Sequence, residues 1–293
     1  MSDTNRLMLE ALAWLFTTRG RCAALHNEEG MTMALPALSD WEATRDALHQ
    51  IALIMGALRV ACSDRLPNDL HFSLDVINDG ISTTELNCGG VLQFNVKDLQ
   101  LTFTRGGRQV FALDVAGHSQ ISLMTQLLDH LDDGGCSVQP SLKHITSDAP
   151  FAIDRVQALD YDSTLRAVFT ALARFRAKLS GCVTPLVLWP HHFDLAFIWF
   201  ATDGMDEHSD PQIAFGFAPF SPGLERPYFY AYAWSQPTGY LHLPLAAPAQ
   251  ALSEPYTGLY APYDALRDAH HLDASVEMIL MSYHRNAAER LSP

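Results

Sequence analysis

The sequence predicts an α+β protein made of two pseudo-repeated halves, each an antiparallel sheet flanked by helices. Three observations predict it. Apolar residues recur at every second position, the period of a half-buried strand, in short runs bounded by Gly or Pro turns. Segments with helical spacing stand before and after these groups of strands and not between successive strands, which favours antiparallel meanders over a βαβ array. The order of elements in the first half is also repeated in the second.

In the first half, Ser39-Asp40-Trp41-Glu42 has the spacing of a capping box, in which the serine caps a backbone amide and the glutamate reaches back. A helix is expected there, with Trp41, Leu48, Ile51, Ala52 and Met55 inward and Gly56 at its end. Residues 58–62 read as a short strand. After the turn Pro67-Asn68-Asp69, the alternation of Leu70, Phe72, Leu74 and Val76 reads as another. Turns at Asn78-Asp79-Gly80, Cys88-Gly89-Gly90, Lys97-Asp98 and Gly106-Gly107 mark off strands at 81–86, 91–96, 99–104 and 109–114. Ile121, Met124, Leu127, Leu128 and Leu131 then form a helical stripe closed by Gly134-Gly135.

A mixed stretch at 140–161 forms the boundary. Asp162 or Ser163 is expected to cap a helix with Leu165, Val168, Phe169, Leu172, Phe175 and Leu179 inward. A short strand over 184–189 and the turn Pro190-His191-His192 lead into an apolar strand over 193–201. Gln212–Ala218 and Tyr228–Trp234 read as aromatic strands, and Leu272–Leu291 as a closing helix capped by Asp273. Twelve of the 16 prolines lie from Pro185 onward, so the last third is expected to be rich in loops. In the repeat, Pro67-Asn68-Asp69 answers Pro190-His191-His192, and Phe72-Ser73-Leu74 answers Phe193-Asp194-Leu195. The halves are then 34–140 and 141–293, with 1–33 as an N-terminal extension helix.

Composition narrows the function. The net charge of -14 and the scatter of the 19 Lys and Arg residues leave no basic face for phosphates, so no nucleic-acid partner is expected. No apolar run reaches the roughly 20 residues of a membrane span, so no membrane partner is expected either. The five cysteines are odd in number, far apart and without a Cys-x-x-Cys pair. They read as neither a disulfide framework nor a zinc site, and point to a reducing, cytoplasmic location. Residues 7–16 are apolar, but Glu10 interrupts them and Arg19 and Arg21 follow them. An amphipathic helix fits this better than a secretory signal. A start at Met31 or Met33 is the alternative, and would make 1–32 dispensable.

From Leu35 onward the pattern resembles a bacterial family of uncharacterised proteins, the domain-of-unknown-function 5996 family. The residues that carry the resemblance are Trp41 with Leu48-His49-Gln50, Asn68 with Leu74, Gly80 and Ser82-Thr83-Thr84, and Phe193-Asp194-Leu195-Ala196. Tyr228 to Ala233 with Pro237 and Gly239, and Pro262-Tyr263 with Arg267 and Tyr283, complete it. The resemblance implies no activity. It does mark a departure: His191-His192 stand where the family has Gly-Ser, and the family's Ser-His-Glu element is replaced by Asp210-Pro211-Gln212.

The candidate catalytic residues are His191, His192 and Asp194, because imidazole titrates near neutrality and a nearby carboxylate can fix its tautomer. Adjacent histidines on an extended segment face opposite ways, whereas His192 and Asp194 share a face and form the weak candidate metal pair. Asn68, through its equivalence to the His191 turn, and His71, Trp189, Tyr230 and Tyr232 are the candidate ligand-binding residues. Asp206-Glu207-His208-Ser209-Asp210 offers oxygen donors without the spacing of a calcium loop, and reads as solvated. Nucleophile-elbow, phosphate-loop and dinucleotide motifs are absent, and no cofactor is expected. Three readings follow: a small-molecule binder with an aromatic cleft between the halves, a metal-dependent or His/Asp acid–base hydrolase, and an interaction module without a pocket. Oligomeric state is left open.

Overall fold

The computed structural model describes residues 34–234 and 242–291. The expected helix within 1–33 and the turn at Pro237 and Gly239 lie outside the described residues. Helix α1 (Glu42–Ala61) starts at N-cap Trp41 with no side-chain cap, so the expected capping box does not form. The helix passes through Gly56 and takes up most of the stretch expected to be a strand at 58–62. Leu48, Ile51, Ile54, Met55 and Leu58 are all buried, and packing on this scale overrides local preference. Gly56 permits a close approach: a Cβ there would lie 2.8 Å from Pro190 Cγ.

Pro67–Phe72 fold as a 3-10 turn, with Asn68 and Asp69 at φ of 53° and 49°. This replaces the strand expected from Leu70, and only β1 (Asp75–Ile77) is extended. With β2 (Gly80–Ser82), β3 (Gly90–Asn95), β4 (Gln100–Arg105) and β5 (Arg108–Asp114) it forms a five-stranded antiparallel sheet in sequence order. Helix α2 (Gln120–Asp133) follows, capped by Ser119. Helix α3 (Arg155–Arg176) starts earlier than expected because Asp154 accepts the amides of Val156 and Gln157, at 2.9 and 3.0 Å. Asp162 is therefore inside the helix, buried and paired with Arg166 at 3.0 Å.

The second sheet contains β6 (Cys182–Val183), β7 (Val187–Trp189), β8 (Asp194–Phe200), β9 (Gln212–Ala218), β10 (Tyr228–Trp234), β11 (Gln250–Leu252) and β12 (Gly258–Pro262). Its order is β11-β12-β10-β9-β8-β6, with β7 also on β8, and every pairing is antiparallel. Strands β11 and β12 arise within the proline-rich third, where the sequence indicates loops between Trp234 and Leu272. Helix α4 (Leu272–Leu291) packs on α3, β9 and β10. On that face Phe197, Phe215, Phe217 and Phe229 are buried, with Phe175 of α3 against the first two. The period of two sends Asp194, Ala196, Ala214, Gly216, Tyr228, Tyr230 and Tyr232 to the opposite face.

The chain is thus α+β with two antiparallel sheets. The first half departs from the expected repeat at 58–62, which is mostly helix, and at Phe72, which closes a 3-10 turn. Leu74 and Leu188 exchange both backbone hydrogen bonds, at 2.8 and 2.9 Å, linking the first-half segment to β7. The described residues cluster as one compact unit. Cys88 and Cys136 form a disulfide, which corrects the expectation of none and removes the ground for inferring a reducing compartment from cysteine usage. Among the described residues no helix is long and apolar enough to cross a membrane.

Candidate functional site

A cavity of about 540 Å³ lies between α1 and the tyrosine-bearing face of the seven-stranded sheet. Its sheet side is Ala196, Ile198, Ala214, Tyr230 and Tyr232, and its helical side is Leu53, Gly56, Ala57 and Val60. Small residues on β8 and β9 leave room that the tyrosines of β10 partly fill. Tyr230 lies opposite Gly216 in the ladder, and its ring passes so close that a Cβ on Gly216 would be 2.4 Å from Cζ. The ring can therefore cross β9 and reach β8, where the Tyr230 hydroxyl donates to Asp194 Oδ2.

Asp194 is placed by a strained turn. The amides of His192 and Phe193 both donate to Trp189 O, at 3.3 and 2.7 Å. Phe193 sits at φ of 56°, a left-handed conformation that costs a bulky residue about 1–2 kcal/mol. Packing holds it there: Phe193 is buried, stacked on His49 at 5.2 Å and tilted against Tyr161 at 5.4 Å. His49 Nε2 lies 2.9 Å from the Pro190 carbonyl and donates to it, which pins the turn to α1. Because the segment turns, His191 and His192 do not face opposite ways. Both line the cavity, with ring centroids 4.3 Å apart.

Burial pushes the Asp194 carboxyl above its usual range, against the opposing effects of the Tyr230 hydrogen bond and His192. Its Oδ1 is buried without a hydrogen-bond partner. The same tyrosine is pushed well above the ordinary phenol value, by burial first and by the neighbouring Asp194 second. Desolvation lowers His191 to about 4, with His192, His49 and His144 pushing the same way and Asp69 opposing. The His191 side chain is exposed at the cavity wall, so water softens this depression.

The chain belongs to a known family. The sequence model of the family of unknown function DUF5996 matches residues 34–292, and no curated protein and no solved structure matches the chain. In this DUF5996 protein the Phe193-Asp194-Leu195-Ala196 element supplies the buried carboxyl and the strained turn, while His191 and His192 add imidazoles beside it.

Of the residues singled out in the sequence, Trp189, His191, His192, Asp194, Tyr230 and Tyr232 meet at this cavity. Asn68 stands behind the wall: its Oδ1 accepts the Glu207 amide at 3.0 Å and fixes the 206–210 loop. His71 is buried in the 3-10 turn, not exposed on a strand. Its Nδ1 takes the Leu66 amide at 3.4 Å, and it does not line the cavity. Sequence reasoning missed the lining groups Asp69, Lys143 and His144 and read Glu207 as part of a solvated loop; all four are on loops or turns. Buried Gln120 places the 143–144 stretch by donating to His144 O at 3.0 Å. Burial and the nearby Asp69 raise the Glu207 carboxyl, with His208 opposing. Among the described residues, Asp69, Glu207 and His208 are the group whose ligand atoms lie close enough to hold a metal, within 4.8 Å of one another. His192 and Asp194 are not in that group.

A carboxyl raised by folding holds its proton longer in the folded than in the unfolded chain. Its stabilising contribution is present below the ordinary carboxylate range and is lost as pH rises through the folded value. Wild type is therefore expected to lose more stability than Asp194→Asn as pH rises above the ordinary carboxylate range. Thermal melts of the two proteins over that rise check this, and parallel pH profiles would contradict it.

Proposed function

We propose that this protein binds a small organic molecule in the cavity between α1 and the tyrosine face. The supporting observation is the pairing of Tyr230 with the under-bonded carboxyl of Asp194 at the wall of a cavity about 540 Å³ in volume. Binding sites for small molecules are mostly apolar clefts of about 300–1,000 Å³ with a few placed polar groups. Here the apolar walls come from α1 and the sheet, and the polar groups from β8, β10 and the turns. Native mass spectrometry of the purified protein tests the reading. A bound mass is expected in wild type and absent in Ala214→Trp, which fills the cavity from the sheet side. A folded Ala214→Trp variant that keeps the same bound mass would place the ligand elsewhere.

The convergence of His191, His192 and Asp194 on one cavity favours a second reading, acid–base hydrolysis. His191 is neutral near pH 7 and so can accept a proton, and a carboxyl raised by burial can donate one. Turnover of an ester or amide panel that disappears in His191→Ala and His192→Ala supports this reading. Turnover unaffected by both excludes it.

A further inference from the structure

We infer that the ligand carries a protonated amine or amidinium group, which pairs with Asp194 beside the rings of Trp189, Tyr230 and Tyr232. This rests on the reading of the cavity as a small-molecule site. Asp194 is 7% exposed. Oδ2 takes the Tyr230 hydroxyl, Oδ1 has no hydrogen-bond partner, and the carboxyl's one further favourable contact of this kind is with its own backbone amide. A buried carboxyl kept under-bonded costs free energy that evenly packed apolar residues would not. Among the described residues no Lys or Arg is set against it: the groups that face it are the His192 imidazole in its own turn, which favours the ionised carboxyl, Tyr161 on α3, and Tyr228, Tyr230 and Tyr232 on β10.

The rest of the lining selects the sign of the missing partner. Asp69 and Glu207 join Asp194 on the cavity, and among the described residues Lys143 is the single ammonium there. An anion would meet three carboxyl groups. A metal ion needs several donor atoms close together, and the group that meets this condition, Asp69, Glu207 and His208, does not include Asp194. An organic cation satisfies both halves of the site. Its nitrogen completes Asp194 through a charge-assisted hydrogen bond, and its carbon body covers the aliphatic and aromatic walls.

Calorimetric titration with benzylammonium and with the neutral benzyl alcohol tests this. Wild type is expected to bind benzylammonium about tenfold or more tighter than benzyl alcohol. Its affinity for benzylammonium is expected to rise with pH as Asp194 ionises, while that for benzyl alcohol stays flat. In Asp194→Asn, checked as folded by circular dichroism, both the preference and the pH dependence are expected to disappear, which separates Asp194 from His192. Should Asp194→Asn not fold, His192→Ala, Asp69→Asn and Glu207→Gln decide in its place: a pH dependence that persists in all three assigns it to Asp194, and its loss in any one overturns that assignment. Equal affinity for the two probes in wild type would overturn the inference and leave the cavity reading standing. Binding of neither would overturn both.

Discussion

Replacing Cys88 and Cys136 together with serine is expected to lower the unfolding free energy by about 4 kcal/mol. The bridge closes a loop of 48 residues, and the value is the unfolded-state entropy that such a closure removes. The native geometry gives little of it back, because both cysteines are already held. Cys136 is buried, and its amide donates to Leu131 O at 2.7 Å at the end of α2. Cys88 sits in a turn tied to the end of α1 by the Asn87 amide, 2.6 Å from Cys62 O. The bridge therefore fastens α2 to the β2–β3 turn across β3, β4 and β5. It also anchors the start of the stretch that carries Lys143 and His144 to the cavity. Urea titrations of oxidised wild type, reduced wild type and the double variant check the prediction. The last two are expected to coincide, well below the first. A reduced protein that unfolds at the oxidised midpoint would show that the bridge restrains nothing.

That bridge also shows where sequence reading stops. Two cysteines 48 residues apart, among five with no regular spacing, do not indicate their pairing. It follows from how a helix end and a hairpin turn meet in space. The elements that could be read are those whose burial is periodic and whose ends carry local signals. β9, β10 and α4 fall on their expected bounds, because alternation or helical spacing continues unbroken between Gly, Pro or polar flanks. α1 was cut short at Gly56 because glycine marks both a helix end and a close approach, and only the position of Pro190 distinguishes them. The 3-10 turn at Pro67–Phe72 imitates a strand, since Leu70, Phe72, Leu74 and Val76 alternate although the backbone extends only from Leu74 onward. The cavity divides in the same way. His191, His192 and Asp194 lie next to one another in the chain, beside an apolar strand, so they could be picked out together. Asp69, Lys143, His144 and Glu207 are each ordinary in their own surroundings and reach the cavity only through tertiary structure.

Gly216→Ala is expected to cost about 3 kcal/mol and to separate Tyr230 from Asp194. The added Cβ would lie 2.5 Å from the Leu195 carbonyl oxygen and 2.5 Å from the Tyr230 hydroxyl oxygen. The carbonyl cannot retreat easily, because Leu195 is paired with Phe217 in the β8–β9 ladder. The tyrosine can swing away, but Asp194 Oδ2 then loses its side-chain donor in a buried position. Tyr230→Phe separates the two effects: it removes the hydroxyl and keeps the ring, and is expected to cost only about 1 kcal/mol. Thermal melts of the three proteins, with benzylammonium titrations of each, check the order. Both variants are expected to bind the cation more weakly than wild type, and Gly216→Ala alone is expected to be strongly destabilised. A Gly216→Ala protein as stable as wild type would mean that the ring does not depend on the bare backbone beneath it. The prediction rests on an absence in the sequence. Ala214 and Gly216 leave β9 nearly without side chains on one face, and that gap lets a tyrosine from one strand reach a carboxyl two strands away.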